Sequence, residues 1–175
     1  MGNKLSLIKP SIEYKKEYLS FYYDWLETGE NMVPWVIQKD PAHFEEMLQF
    51  LSNNENGIHL PKGWIPDSTY WLIDDNQKVL GAVNIRHQLT EALQNSGGHI
   101  GYGIRPSERR KGYATKLLSL SLEKARELGI TKALVVCDES NIGSLKTILH
   151  NGGVPDEDFR EEDGNVVRRF WIELN

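Results

Sequence analysis

Between Gly97 and Cys137 the hydrophobic period of the chain changes twice, and that order of changes narrows the folds open to it. Gly97–Ile104 reads as a strand with glycines at 97, 98, 101 and 103. Such a density signals a bulge, or the close approach of another backbone or a ligand. Arg105–Ala114 is a basic turn. From about Tyr113 to Leu128, the residues Ala114, Leu117, Leu118, Ala125 and Leu128 recur at helical spacing, and Gly129 suits the position just past the helix. Lys132–Cys137 is a continuous apolar run, the kind buried on both faces in parallel sheets. Strand, turn, helix and buried strand together predict a right-handed βαβ crossover.

The flanking segments predict more strands and two further helices. Lys4–Lys9 alternates as a short strand stopped by Pro10. Ser11 caps a helix to about Glu27, and Asp40-Pro41 opens another that runs to about Leu51. Gly29–Trp35 and Asn53–Asp67 are long turn-forming loops, of the kind that select ligands. Thr69–Ile73 and Lys78–Leu89 form a hairpin around Asp74-Asp75-Asn76-Gln77, with Val83, Ile85, His87 and Leu89 on one face. Asn141–Asn151 is a short helix ended by Gly152-Gly153, and Val166–Leu174 closes the chain as a strand. The expected architecture is a mixed sheet with helices on both sides.

Composition permits one such domain. A chain of 175 residues with 39% hydrophobic content can build one α/β core and is short for two. No run reaches the ~18 apolar residues of a membrane span and no signal peptide is visible, so a soluble cytoplasmic protein away from membranes is expected. The single cysteine, Cys137, allows no internal disulfide and fits a reducing compartment. Met1-Gly2-Asn3-Lys4-Leu5-Ser6 matches the myristoylation pattern formally, but Leu5, Leu7 and Ile8 read better as the first strand. The net charge of −5 argues against general nucleic-acid binding. Acids outnumber bases over 11–55 and 156–163, whereas 105–111 concentrates Arg105, Arg109, Arg110 and Lys111. The acidic stretches read as solvated faces, or as an approach favouring a cationic amine.

The basic turn is thus a phosphate reader in an acidic protein. Backbone N–H groups, a helix N-terminus and cationic side chains converge there, as a diphosphate requires. It is neither a Walker A loop nor GxGxxG. It matches R/Q-x-x-G-x-G/A as Arg109-x-x-Gly112-x-Ala114. With the strand before it, the helix after it, Asn141-Ile142-Gly143-Ser144 and the Gly-Gly stop, this order resembles the GNAT superfamily of acetyl-CoA-dependent N-acetyltransferases, over about Thr69 to Asn151 plus the closing strand. The resemblance implies an α/β GNAT fold. Its central mixed, mostly antiparallel sheet would have one parallel splayed strand pair and helices on both faces. It would form a single domain over 1–175: acceptor-side elements to 67, a coenzyme A core over 69–151, and a C-terminal strand region over 152–175.

The same resemblance implies the site. Backbone amides of Arg109, Arg110, Lys111, Gly112, Tyr113 and Ala114 would bind the diphosphate, with Arg109 or Arg110 adding charge and Thr115 a hydroxyl. Ile104 would pair with the pantetheine arm, and Asn141 and Ser144 would face it, although both also suit plain helix capping. An amine would attack the thioester directly while both substrates are bound, with a small-molecule or free amino-acid-like acceptor held by the region of Tyr22, Tyr23, Trp25 and Trp35, aromatics that also suit the core, Trp25 above all. Protein or peptide acetylation, or a silent coenzyme A-binding module, are the alternatives. Candidate catalytic groups are His99, Glu91 and Tyr102; for His87, and for His99, Glu91 and Tyr102 themselves, packing or solvation is the competing reading. Where the family places a tyrosine to protonate the leaving thiolate, this chain has Ile148, and His150 lies two residues on. Cys137 reads as packing rather than a nucleophile. Histidines 43, 59, 87, 99 and 150 show no metal-ligand spacing, so no metal is expected. A homodimer is left open.

Overall fold

The computed structural model describes residues 2–175. The myristoylation pattern includes Met1, which lies outside them. The chain runs β1 (Ser6–Ile8), α1 (Lys15–Thr28), α2 (Phe44–Glu55), β2 (Asp67–Ile73), β3 (Val79–Arg86), β4 (Ile100–Ile104), α3 (Tyr113–Glu127), β5 (Lys132–Asp138), α4 (Ile142–His150), β6 (Val154–Pro155), β7 (Phe159–Arg160) and β8 (Val166–Glu173).

Local chemistry sets several of these ends. Ser11 accepts the Glu13 N–H and opens a 3-10 turn that leads into α1, and Gly29 ends that helix at φ 70°. Asp40 does not cap α2. Its carboxylate accepts the Ala42 N–H and closes a turn, so the helix begins later, at Phe44. In the β2–β3 hairpin Asp74 accepts the N–H groups of Asn76 and Lys78. β3 stops at Arg86, short of the expected Leu89, and His87 bonds Ser68 Oγ through Nε2 at 2.8 Å.

The strands form two sheets rather than one continuous one. β1-β2-β3-β4 is the first, and β5-β8-β6 the second, with β7 also on β8. Every pairing within them is antiparallel. The buried run Lys132–Cys137 therefore takes its ladder from the closing strand and leaves its other edge toward β4. There the two sheets touch through one backbone bond, from His99 N–H to Leu134 C=O at 2.7 Å, and then diverge.

Helices cover both faces, as expected. On one side α1 and α2 pack Tyr18, Phe21, Trp25, Phe44 and Met47 against Trp71, with Tyr18 stacked on Trp71 at 4.2 Å. On the other, α3 and α4 bring Leu117, Leu118 and Ile148 against Leu72, Val83, Ile85 and Phe170. Each large apolar side chain so buried contributes roughly 1.5–3 kcal/mol.

The glycines of β4 and of the turn before it mark close approaches. A Cβ on Gly103 would collide with the Val33 carbonyl oxygen, and one on Gly98 would stand 2.7 Å from the Leu134 oxygen. The α1–α2 loop thus lies directly on β4. Gly103→Ala is expected to cost about 3 kcal/mol or more by overpacking against backbone, lowering Tm by roughly 6–12 °C in a thermal melt.

Candidate active site

A cavity of about 400 Å3 opens along β4. Its walls are Tyr102, Gly103 and Ile104 of β4, the basic turn with the first residues of α3, and the start of α4. The acids of the chain organise the turn. Arg105, buried, donates to Asp24 at 2.9 Å and to Ser20 Oγ at 2.7 Å, and Ser107 also bonds Asp24, so the turn is tied to α1. Arg109 donates to Glu30 at 2.7 Å and lies 4.9 Å from the centre of the Trp25 ring. Glu108 accepts from Lys111 at 2.6 Å and also takes Lys78. Those bonds, Lys111 first, hold the Glu108 carboxyl below its ordinary range, and Arg109 does the same for Glu30.

Arg110 stands apart. Among the described residues it has no carboxylate partner, it takes φ 62°, and it lines the cavity. The N–H groups of Arg110, Lys111 and Gly112 find no acceptor among the described residues. Gly112 adopts φ 82° at the start of α3, and the space a Cβ would enter is open. Tyr113, Ala114 and Thr115 continue this wall. A helix start supplies unpaired N–H donors and a partial positive charge. The Lys111 ammonium turns toward Glu108, while its N–H stays unpaired among the described residues.

Across the cavity Asn141 accepts the Ser144 N–H at 3.0 Å and so caps α4, while lining the space as well. Ser144 Oγ lies 2.8 Å from Tyr102 Oη. Burial pushes the Tyr102 phenol up to about 12, against a lowering by that bond. Ile148 is fully buried and His150 is exposed at the end of α4, so neither presents an acid to the cavity. Cys137 is packed in the core, and burial raises its thiol.

His99 occupies a different role from that of an open base. Its Nδ1 accepts the Leu134 N–H at 2.9 Å, so the imidazole replaces the strand that would otherwise pair with β5. A neutral imidazole bonded in this way carries its proton on Nε2 and has no lone pair left. Burial first, then the charge of Arg86, pushes it down to about 4. On unfolding it regains its ordinary value of 6.5 and takes up a proton that the folded chain refuses. Its contribution to stability is therefore full above 6.5 and is lost as pH falls toward about 4. His99→Asn, which keeps an acceptor for Leu134, should lose less stability than wild type between about pH 7.5 and about pH 5 in denaturant melts. Glu91 is exposed on the turn after β3 and lines neither this cavity nor the next.

A second cavity, of about 290 Å3, is walled by Trp35, Trp64, Ile65 and Leu93 together with Asp67 and Arg86. Trp35 was among the aromatics expected here; Tyr22 and Tyr23 line neither space, and Trp25 is core. Asp67 and Arg86 carry no local motif. They become neighbours only through the β2–β3 register, in which they are paired directly.

The comparisons agree with this fold. The model of the acetyltransferase (GNAT) domain matches residues 5–154. No curated protein matches the sequence. Among solved structures, mutant forms of the spermidine/spermine N-acetyltransferase SpeG from Vibrio cholerae superpose at TM-score 0.64 with 16% identity, over 97% of this chain and 94% of that one. An acetyl transferase from Salmonella typhimurium that modifies the N-terminal serine of ribosomal protein L7/L12 superposes at 0.68 with 13% identity, over 98% and 95%. A dodecameric structure of the V. cholerae spermidine enzyme matches at 0.64 and 16%, again over 97% and 94%. With the family model spanning the splayed strands, the basic turn and both flanking helix layers, the chain belongs to the GNAT acetyltransferases.

Proposed function

We propose that the chain transfers an acetyl group from acetyl-CoA to the amine of a small molecule, with both substrates bound at once. The observation that carries this is the basic turn: free amides at 110–112, a glycine at φ 82° and an uncommitted Arg110 face one cavity beside the Tyr102–Ser144 pair. These groups fit a coenzyme A diphosphate in charge and in donor count. Ile104, Asn141 and Ser144 would flank the arm that leads from it. Acetyl-CoA supplies an activated acyl group: the amine nitrogen forms the new C–N bond, the C–S bond breaks, the nitrogen gives up a proton and the sulfur takes one.

The residues divide that work as follows. Tyr102, a protonated phenol held by Ser144, donates to the sulfur in the role that Ile148 leaves vacant on α4. His99 is a positioning residue that spaces β4 from β5. With its lone pair engaged and Glu91 outside both cavities, the amine's proton passes to water. Rates should then rise with pH toward the amine's own pKa.

Ile148 also favours a second reading, a module that binds coenzyme A without turnover. Titration with acetyl-CoA and with 3′-dephospho-CoA tests the site, and amine-dependent release of free thiol separates the two readings. Micromolar binding with thiol release supports the enzyme; binding without release from any amine supports the module. No binding removes both.

A further inference from the structure

We propose that the cavity of about 290 Å3 is the acceptor site and selects a free α-amino acid with an apolar or aromatic side chain, whose carboxylate Arg86 reads. The inference rests on the acetyl-transfer reading above and specifies its acceptor.

Arg86 is the first observation. Among the described residues its guanidinium makes one hydrogen bond, from Nη1 to the Gly97 carbonyl at 3.2 Å, and no carboxylate forms an ion pair with it. Arg105, Arg109, Arg168 and Arg169 each hold an acid. A guanidinium offers five donors in a fork that matches a carboxylate, and a half-buried one with donors to spare calls for an anion. Only Arg110 among the cavity-lining arginines is similarly uncommitted, and it faces the other cavity.

Position is the second. A Cβ on Gly101 would stand 3.2 Å from Arg86 Nη1, so the guanidinium lies over β4 because that residue is glycine. Gly101 adjoins Tyr102. Gly101 and Tyr102 face opposite sides of β4, so an amino acid whose carboxylate sits on Arg86 would bring its α-nitrogen to the thioester through the gap between β4 and β5.

Most of the remaining wall is apolar, with Asp67 and Thr90 as its polar members. Trp35 and Trp64 meet edge to face at 5.2 Å, and Ile65 and Leu93 complete the wall. Its volume is at the lower end of the roughly 300–1,000 Å3 of small-molecule sites, which suits one side chain and not a long substrate. Asp67 is 3% exposed, its Oδ1 accepts from Asn84 Nδ2 at 2.7 Å, and its carboxyl, pushed up by burial, stands beside Arg86 at the back of the space. A polyamine would set its cationic chain against Arg86.

The test compares L-phenylalanine with phenethylamine, L-phenylalaninamide and spermidine, by thiol release and by titration of each onto the coenzyme A-loaded protein. The wild type should prefer phenylalanine over phenethylamine by about 100-fold or more in kcat/KM, and bind it correspondingly tighter. Arg86→Gln should reduce that preference to less than about 5-fold, and Arg86→Lys should fall between. Equal use of the amine, the amide or spermidine by the wild type overturns the proposal and needs no variant. So does a preference that survives Arg86→Gln, or failure to use any amino acid while acetyl-CoA binds. Failure to bind acetyl-CoA is the separate result that removes the transfer reading, and this proposal with it.

Discussion

Gly112→Asp is expected to weaken acetyl-CoA binding by at least about 100-fold, or ~2.7 kcal/mol, in a calorimetric titration, and Gly112→Asn by less than about 5-fold. The pair isolates charge from shape. At φ 82° any side chain is strained, but Asp and Asn are the residues that enter the left-handed region at least cost. Nothing lies within 4 Å of the position a Cβ would take, so both variants should fold. They differ in one negative charge, placed among amides and an arginine that would otherwise face the diphosphate. Near-normal affinity in Gly112→Asp would show that the diphosphate lies elsewhere. Equal losses in both variants would show that backbone conformation, and not charge, governs the turn.

Much of this site was legible because its signals are local. The basic turn, the helix behind it and the Asn-x-x-Ser start of α4 are each written within a few residues, and the structure places them around one cavity. The glycines of β4 and of the turn before it announced close approach, yet could not say by what: Val33 at Gly103, Arg86 at Gly101, Leu134 at Gly98. Such partners lie tens of residues away and only register brings them in. The same limit hid the role of His99, whose ring bonds a strand that follows an intervening helix. It also hid Asp67 and Arg86, which look like ordinary charges at strand ends until β2 and β3 pair. The splay of β4 from β5 was expected; what β5 itself does not record is its antiparallel partner β8. An apolar run such as Lys132–Cys137 records burial on both faces but not the direction of the strand beside it. At α2 the competing chemistry was a side-chain turn, with Asp40 satisfying Ala42 before the helix could begin.

Tyr102→Phe should lower kcat by about 100-fold or more while leaving acetyl-CoA affinity within about 3-fold, because a general acid contributes roughly 10²–10⁴ and acts only as the thiolate departs. The pH profile identifies the role. A phenol pushed up to about 12 stays protonated throughout the working range, so the wild-type rate should climb toward the amine's pKa with no alkaline fall below about pH 10. An acid with an ordinary cysteine- or histidine-like pKa would produce such a fall. Ser144→Ala removes the 2.8 Å contact to Tyr102 without removing the phenol, and should cost less than Tyr102→Phe. The double variant should then cost about as much as Tyr102→Phe alone, because the serine acts through the phenol. Fully additive losses would separate the two residues. An unchanged kcat in Tyr102→Phe would mean that the thiolate leaves unassisted, which its ordinary pKa of ~8.5 permits, and that the phenol of β4 serves packing alone.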